Sequence, residues 1–195
     1  MAEIKSTMEM VLERAAKMAA DAPTSTDNDT MIRSGMRIGA GFLDGKTEDL
    51  YLELLKHDAK DQISVKKGIA QTLLRNIVLP RDEQLQLSAG VAINGILSLA
   101  QNGGEITNAC GELQQIIEQY GQHKEQTKQQ LDDALKAQLE QQQAASGQTG
   151  GSVNPAMHPQ YNEELTKMMT SLNNQYNDAM SQRKEMILHH LCPSS

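Results

Sequence analysis

Aromatic residues are scarce in this chain of 195 residues, which has no Trp, one Phe and four Tyr. Hydrophobic residues make up only 38% of it, against roughly 45–50% in a typical globular protein. The composition therefore argues against a thick, aromatic-rich core, and Leu, Ile, Ala and 11 Met must fill the interior. Because these residues, apart from β-branched Ile, favour helices and strand patterns are nearly absent, the sequence predicts an all-α fold.

An excess of basic residues is also missing. The chain carries 18 Lys and Arg against 25 Asp and Glu, a formal charge of −7, and the charges are spread rather than gathered in blocks. The phosphates of a nucleic acid repel such a surface, and few aromatic rings are present to stack on bases. The sequence therefore argues against a nucleic-acid partner.

The sequence contains neither a long apolar run nor a cysteine framework. Its longest nearly apolar stretch, residues 89–100, is shorter than the ~20 residues of a membrane-spanning helix, and the first residues lack an apolar signal segment. Cys110 and Cys192 are the only thiols, too few for the disulfide pattern of a small secreted domain. We therefore expect a soluble, cytoplasmic protein with no membrane partner.

Residues 1–102 show several apolar patterns with helical spacing, and we expect them to form a compact bundle of about five helices. Residues 4–19 form the first amphipathic pattern, and a loop rich in Ser, Thr, Asp and Asn is expected at residues 21–28. A second pattern follows from Asp29 and is interrupted by glycines at positions 35, 39 and 41. Glycine weakens a helix, so this one either packs very closely on a neighbour or is irregular.

Two positions mark the remaining helix boundaries of the bundle. Thr47, which is followed by two acidic residues, is expected to cap a short third helix. The residue before a proline avoids helical angles, so the helix predicted over residues 63–78 ends before Pro80, which is expected to open the next one. That next helix, to residue 100, is apolar on most faces and should form the core of the bundle.

Residues 103–195 are expected to form a long antiparallel helical hairpin of coiled-coil type. A Gln-rich arm over residues 105–145 and a returning arm over residues 161–191 are separated by a flexible turn rich in Gly, Pro and Asn at residues 146–160. The apolar stripe of the first arm is continuous to Tyr120, thin to Thr127 and narrow beyond.

This stripe extends further than a small bundle can cover, and exposed apolar surface usually indicates a partner. The sequence therefore favours a non-enzymatic interaction or scaffolding protein that self-associates or binds a protein partner through the hairpin. It leaves open whether the hairpin closes within one chain or is exchanged between two. The predicted interface residues are Leu131, Leu135, Leu139, Leu165, Met168, Leu172, Tyr176, Ala179 and Met186.

Residues 40–47, Ala-Gly-Phe-Leu-Asp-Gly-Lys-Thr, fit a relaxed P-loop pattern in which Ala replaces the first Gly. In a P-loop, backbone amides near Gly45 would hold phosphates, Lys46 would reach the β- and γ-phosphates and Thr47 would bind Mg²⁺. Such a loop lies between a buried strand and a helix, whereas residues 31–39 lack a strand pattern. A nucleotide- or phosphate-binding protein is thus one alternative, beside a helix end followed by a Thr cap.

His189, His190 and Cys192 form the tightest cluster of possible metal ligands. Adjacent histidines on a regular helix point about 100° apart and cannot both bind one ion well. A zinc site also needs a fourth donor, and the other histidines are scattered. We therefore expect no metal, no cofactor and no catalytic residue, with Cys192 as an exposed reactive thiol. A helical sensor that binds a metal or a small ligand inside the bundle is the second alternative.

Overall fold

The computed structural model describes residues 25–101, 103–146 and 154–193. Within these ranges the chain is helical and contains no strand, so the all-α prediction is confirmed. The amphipathic pattern at residues 4–19 lies outside the described residues. The six described α-helices are α1 (Ser25–Leu43), α2 (Leu50–Leu55), α3 (Gln62–Asn76), α4 (Glu83–Ala100), α5 (Gly104–Ser146) and α6 (Tyr161–Leu191), with a short 3₁₀ helix at Pro155–Met157.

Helices α1 and α3 cross at a point where their backbones touch. A Cβ atom added to Gly35 would lie 2.0 Å from the backbone oxygen of Val65, and one added to Gly68 would lie 2.0 Å from that of Ile32. Each glycine therefore lets the opposite helix approach more closely than any side chain would allow. Of the two interpretations of the glycines in α1, close packing on a neighbour is correct.

Three predicted helix starts differ from the structure. α1 begins at Ser25, within the predicted loop, where Asp27 in the first turn is favourable to the helix dipole. α2 is capped by Asp49 rather than Thr47, because the Asp49 carboxylate accepts bonds of 2.8 and 3.0 Å from two first-turn amides. α4 begins after Asp82, which accepts from the Leu85 amide at 2.9 Å, and not at Pro80.

The main hydrophobic core joins the bundle to the base of the hairpin. α4 contributes most of one face, as its apolar sequence predicts, and the first part of α5 and the last part of α6 pack into the same cluster. Its fully buried large side chains are Leu50, Val65, Ile69, Leu73, Ile77, Ile93, Ile96, Cys110, Leu113 and Ile187. The boundary predicted at residue 102 thus separates two stretches of chain that share one core.

The two long helices run antiparallel. As the residue number rises along α5, the number of its partner falls along α6, in the pairs Glu105 with His190, Glu112 with Arg183, Tyr120 with Asn173 and Asp132 with Tyr161. The 3₁₀ helix packs against both arms near the tip. The hairpin is therefore closed within a single chain.

Candidate protein-interaction surfaces

The stripe predicted to bind a partner lies largely on the inner face of the hairpin. Leu131 and Leu135 are each 7% exposed and form a second, small core with Tyr161, against which Leu165 and Met168 pack. The other predicted stripe residues are half-buried, namely Leu139, Leu172, Tyr176 and Ala179, except for Met186, which is exposed. Most of this stripe is therefore occupied by the opposite arm of the same chain.

A polar and aromatic layer lies beside the second core. The Tyr120 hydroxyl donates a 2.8 Å bond to Oδ1 of Asn173, and the Tyr176 hydroxyl bonds to Nδ1 of His123. The rings of Tyr120 and Tyr176 meet edge to face with centroids 5.4 Å apart. This layer coincides with the part of the α5 stripe that the sequence shows as thin. With Tyr161, which lies further out in the second core, the inner face of the hairpin contains three of the chain's four tyrosines.

Within the described part of the chain, one apolar face of helix α2 is not covered by other residues. Five of its six residues, Leu-Tyr-Leu-Glu-Leu-Leu, are apolar, but a helix presents one side to a neighbour, and only Leu50 and Leu54 are buried. Tyr51, Leu52 and Leu55 are exposed, Leu52 to 58%. The sequence signal for this surface was a short helix that is apolar at almost every position. The prediction of interface residues, which relied on the stripe of the hairpin, did not use this signal.

Helix α4, which packs against α2, also carries exposed apolar side chains. Leu87 is 65% exposed, and Val91, one turn further along, is also exposed. The opposite side of α4 lies in the main core. We refer to Tyr51, Leu52, Leu55, Leu87 and Val91 together as the α2–α4 face.

Acidic residues lie at the starts of the two helices that carry the α2–α4 face. Glu48 and Asp49 precede α2, and Asp82 and Glu83 begin α4; all four are exposed. Lys56, the cation that directly follows α2, forms a 2.6 Å ion pair with Glu53. Both helices therefore begin beside acidic residues, with Arg81 as a neighbouring cation before α4.

The P-loop interpretation of residues 40–47 is wrong. The Lys46 amide donates to the Gly41 oxygen at 2.8 Å and the Gly45 amide to the Phe42 oxygen at 3.0 Å, with Gly45 at φ 71°, which is a Schellman-type end of α1. A P-loop presents amides at a helix N-terminus, whereas this turn follows a C-terminus and no strand precedes it within the described residues. Lys46 is paired with Asp44 at 2.9 Å, and this hydrogen bond raises the lysine pKa.

In the predicted ligand cluster at the end of α6, His189 and Cys192 line one open pocket, whereas His190 pairs with Glu105. His190 Nδ1 lies 2.7 Å from a carboxylate oxygen of Glu105, and the rings of His189 and His190 are steeply inclined at a centroid distance of 5.7 Å. Among the residues that the structure describes, no three His, Cys, Asp or Glu side chains are arranged to hold a metal ion.

Both thiols differ from a reactive cysteine. Cys192 is half-buried against the main core rather than exposed; burial raises its pKa, and the positive charges of Lys66 and Lys67 oppose that rise. Cys110 is fully buried, and burial raises its pKa to about 11. Since the thiolate is the reactive form, neither cysteine is activated at neutral pH.

An open groove between α4 and α5 bears on the ligand-sensor alternative. Its volume is about 240 Å³ and it is lined by Gln86, Gly90, Ile93, Gln114, Ile117 and Glu118. Small-molecule sites usually enclose roughly 300–1,000 Å³ and converge a few polar groups on the ligand. This groove is smaller, and its polar side chains lie at the rim of an open surface.

None of the helices in the described ranges is long and apolar enough to cross a membrane. No curated protein and no solved structure matches the chain. The model of a family of unknown function, DUF6657, matches residues 52–189, which extend from within α2 to the last turn of α6. Because the match covers well over half of its length, the chain belongs to the DUF6657 family.

Proposed function

We propose that the protein is a non-enzymatic helical interaction protein that binds a helical segment of a partner on the α2–α4 face. The observation that carries the proposal is the composition of α2, which is apolar at five of six positions and buries only Leu50 and Leu54. Exposing large apolar side chains to water costs roughly 25 cal/mol for each Å², so a partner that covers them is stabilised by their burial. Exposed apolar surface is typical of such sites.

The charges around the face indicate the chemistry of the partner. Glu48, Asp49, Asp82 and Glu83 lie at the starts of the two helices that carry it, and the whole chain carries a formal charge of −7. Complementary charge speeds encounter and disfavours wrong partners. An amphipathic helix with an apolar stripe and flanking Lys or Arg residues fits both features, and helix-in-groove binding of this type is a common recognition mode.

The remainder of the molecule suits a scaffold rather than an enzyme. The titratable side chains discussed above lie at separate places, and among the described residues no Asp, Glu, Lys, Arg or His side chain is buried. The main core holds α2 and α4 against the base of the hairpin. A rigid support of this kind keeps the α2–α4 face pre-organised, which lowers the entropic cost of binding.

A labelled peptide tests the proposal. We expect a fluorescein-labelled amphipathic helical peptide of Leu and Lys to bind with saturable anisotropy, and its Leu and Glu counterpart to bind much more weakly. The double variant Leu52→Ser/Leu55→Ser should weaken binding of the basic peptide by about tenfold or more, because it removes two apolar contacts. Ile63→Ser is the matched control, since Ile63 on α3 is also 58% exposed but lies outside the face.

Three results would contradict this function: no saturable binding, equal binding of the two peptides, or equal weakening by Ile63→Ser. Sedimentation of the wild type over a concentration series adds one further outcome. If the protein self-associates and the Leu52→Ser/Leu55→Ser variant is monomeric, a second copy of the chain occupies the face, and the basic partner is rejected.

A further inference from the structure

We infer that the distal half of the hairpin, residues 121–146 and 161–172, opens and closes as a unit about Gly121 while the main core stays folded. The two halves of the hairpin are held by separate hydrophobic clusters. The distal cluster contains three buried side chains, Leu131, Leu135 and Tyr161, whereas the main core buries residues from α2 to α6. Regions with few buried apolar contacts open at a lower free energy than the rest of a protein.

The boundary between the two clusters is a gap in the burial pattern. After Tyr120, which is buried, no α5 side chain is buried until Leu131. Along α6 no side chain between Tyr161 and Met180 is buried. The gap is bridged by half-buried residues and by two hydrogen bonds, one from Tyr120 to Asn173 and one between Tyr176 and His123, and opening of the distal half must break the second. Opening of the distal half therefore breaks its own small core without disturbing the packing of Ile117 or Met180.

Gly121 stands at this boundary. It follows Tyr120 directly, in the interior of the 43-residue helix α5. A Cβ atom added there would meet no other atom within 4 Å, so close packing does not account for the glycine, in contrast to Gly35 and Gly68. A glycine inside a helix weakens it and gives the backbone more freedom, and here the weak point lies where core support ends.

Opening changes which apolar surface the protein presents. In the closed hairpin the leucines of the predicted stripe, Leu131 and Leu135, face α6 and are almost fully covered. In the open state they become exposed together with Leu165 and Met168. The stripe recognised in the sequence is thus available to a helical segment only after opening. This device is independent of the α2–α4 face, which is exposed in the closed structure.

Amide hydrogen exchange, followed by mass spectrometry on the full chain, tests the hinge. Because exchange reports local opening, we expect peptides from residues 128–140 and 161–170 to exchange much faster than peptides from α4. Gly121→Ala should slow the distal exchange about fivefold, since alanine favours the helix at a position with room for its methyl group.

Gly111→Ala is the matched control. Gly111 is also exposed, lies in the same helix and has no atom within 4 Å of an added Cβ. It differs in that its neighbours along the helix, Cys110 and Leu113, are buried in the main core. It should leave distal exchange unchanged. Leu135→Ala should accelerate distal exchange more than tenfold and leave α4 unaffected. Equal exchange in the distal arms and α4, equal slowing by the two glycine variants, or no slowing by Gly121→Ala would each overturn the hinge.

Discussion

The two halves of the hairpin are built from the same two helices, but they differ in what lies behind them. At the base, α5 packs one face into the main core, where α3, α4 and α6 converge. Among the described residues, the stripe of α5 in the distal half meets only α6 and the short 3₁₀ helix. The same sequence pattern therefore gives a well-supported helix in one half and a marginal pair in the other, because most helix stability in proteins comes from tertiary packing.

Truncating one leucine in each half is the sharpest test of this difference. Leu113→Ala, in the fully buried base, should lower the free energy of unfolding by about 2–5 kcal/mol, since it leaves a cavity in the main core. Leu131→Ala, in the distal core, should lower it by less than about 1 kcal/mol, because the distal half opens before global unfolding. Urea denaturation followed by circular dichroism near the main transition measures both values.

The paired design carries its own control, because both substitutions replace a leucine of the same helix. If Leu131→Ala destabilised the main transition as much as Leu113→Ala, the hairpin would unfold as one cooperative body, and the contrast between its halves would disappear.

The glycine contact between α1 and α3 gives the next largest effect. Gly68→Ala places a methyl group against the backbone of Ile32, so one helix must move, and overpacking of this kind costs about 1–3 kcal/mol. Gly90→Ala, in the interior of α4 with open space around its added Cβ, should instead stabilise the protein by up to about 1 kcal/mol. Thermal melts of the two variants should therefore shift in opposite directions, and shifts of the same sign would refute the close crossing.

The smallest effect concerns the tip, where Tyr161 donates a hydrogen bond to Asp132. This bond, together with burial and the negative charge of Asp132, raises the Tyr161 pKa above its ordinary value of 10.0. A raised pKa in the folded state gives stability that is present below pH 10 and is lost as the pH rises through the folded pKa. The distal half should therefore loosen first at alkaline pH, because ionised Tyr161 loses its bond and repels Asp132.

An NMR titration of the tyrosine Cζ resonances measures this directly. Asp132→Ala should bring the Tyr161 pKa down toward its ordinary value, because the largest cause of its elevation is removed. An unchanged Tyr161 titration in that variant would show that the side chains do not interact in solution.

Much of the secondary structure could be predicted from apolar spacing. The returning arm was expected at residues 161–191, and α6 spans Tyr161–Leu191. Helix starts were less accurate, because several nearby side chains competed to cap them: Asp49 caps α2 where Thr47 was expected, and Asp82 caps α4 two residues after Pro80. Which of several nearby residues begins a helix depends on the backbone path into that helix, and the spacing of apolar residues does not encode this path.

The candidate sites were harder to predict. The P-loop pattern in residues 40–47 is a helix C-terminus, because Gly-containing segments serve helix ends as readily as phosphate loops. Cys192 was expected to be exposed, but the last turn of α6 packs into the main core and brings this cysteine against it. The uncovered face of α2 was overlooked because a six-residue helix has too few turns to show a stripe.

The sequence by itself determined that the protein is helical and acidic, where its long arms lie, and that one face of each arm is apolar. Only the tertiary structure decided what covers those faces: the opposite arm for Leu131 and Leu135, the main core for Leu113, and nothing within the described chain for Leu52 and Leu87. The physical reason is that the hydrophobic effect is non-directional. Apolar spacing shows that a surface must leave water, but the surface that covers it is set by the path of the whole chain.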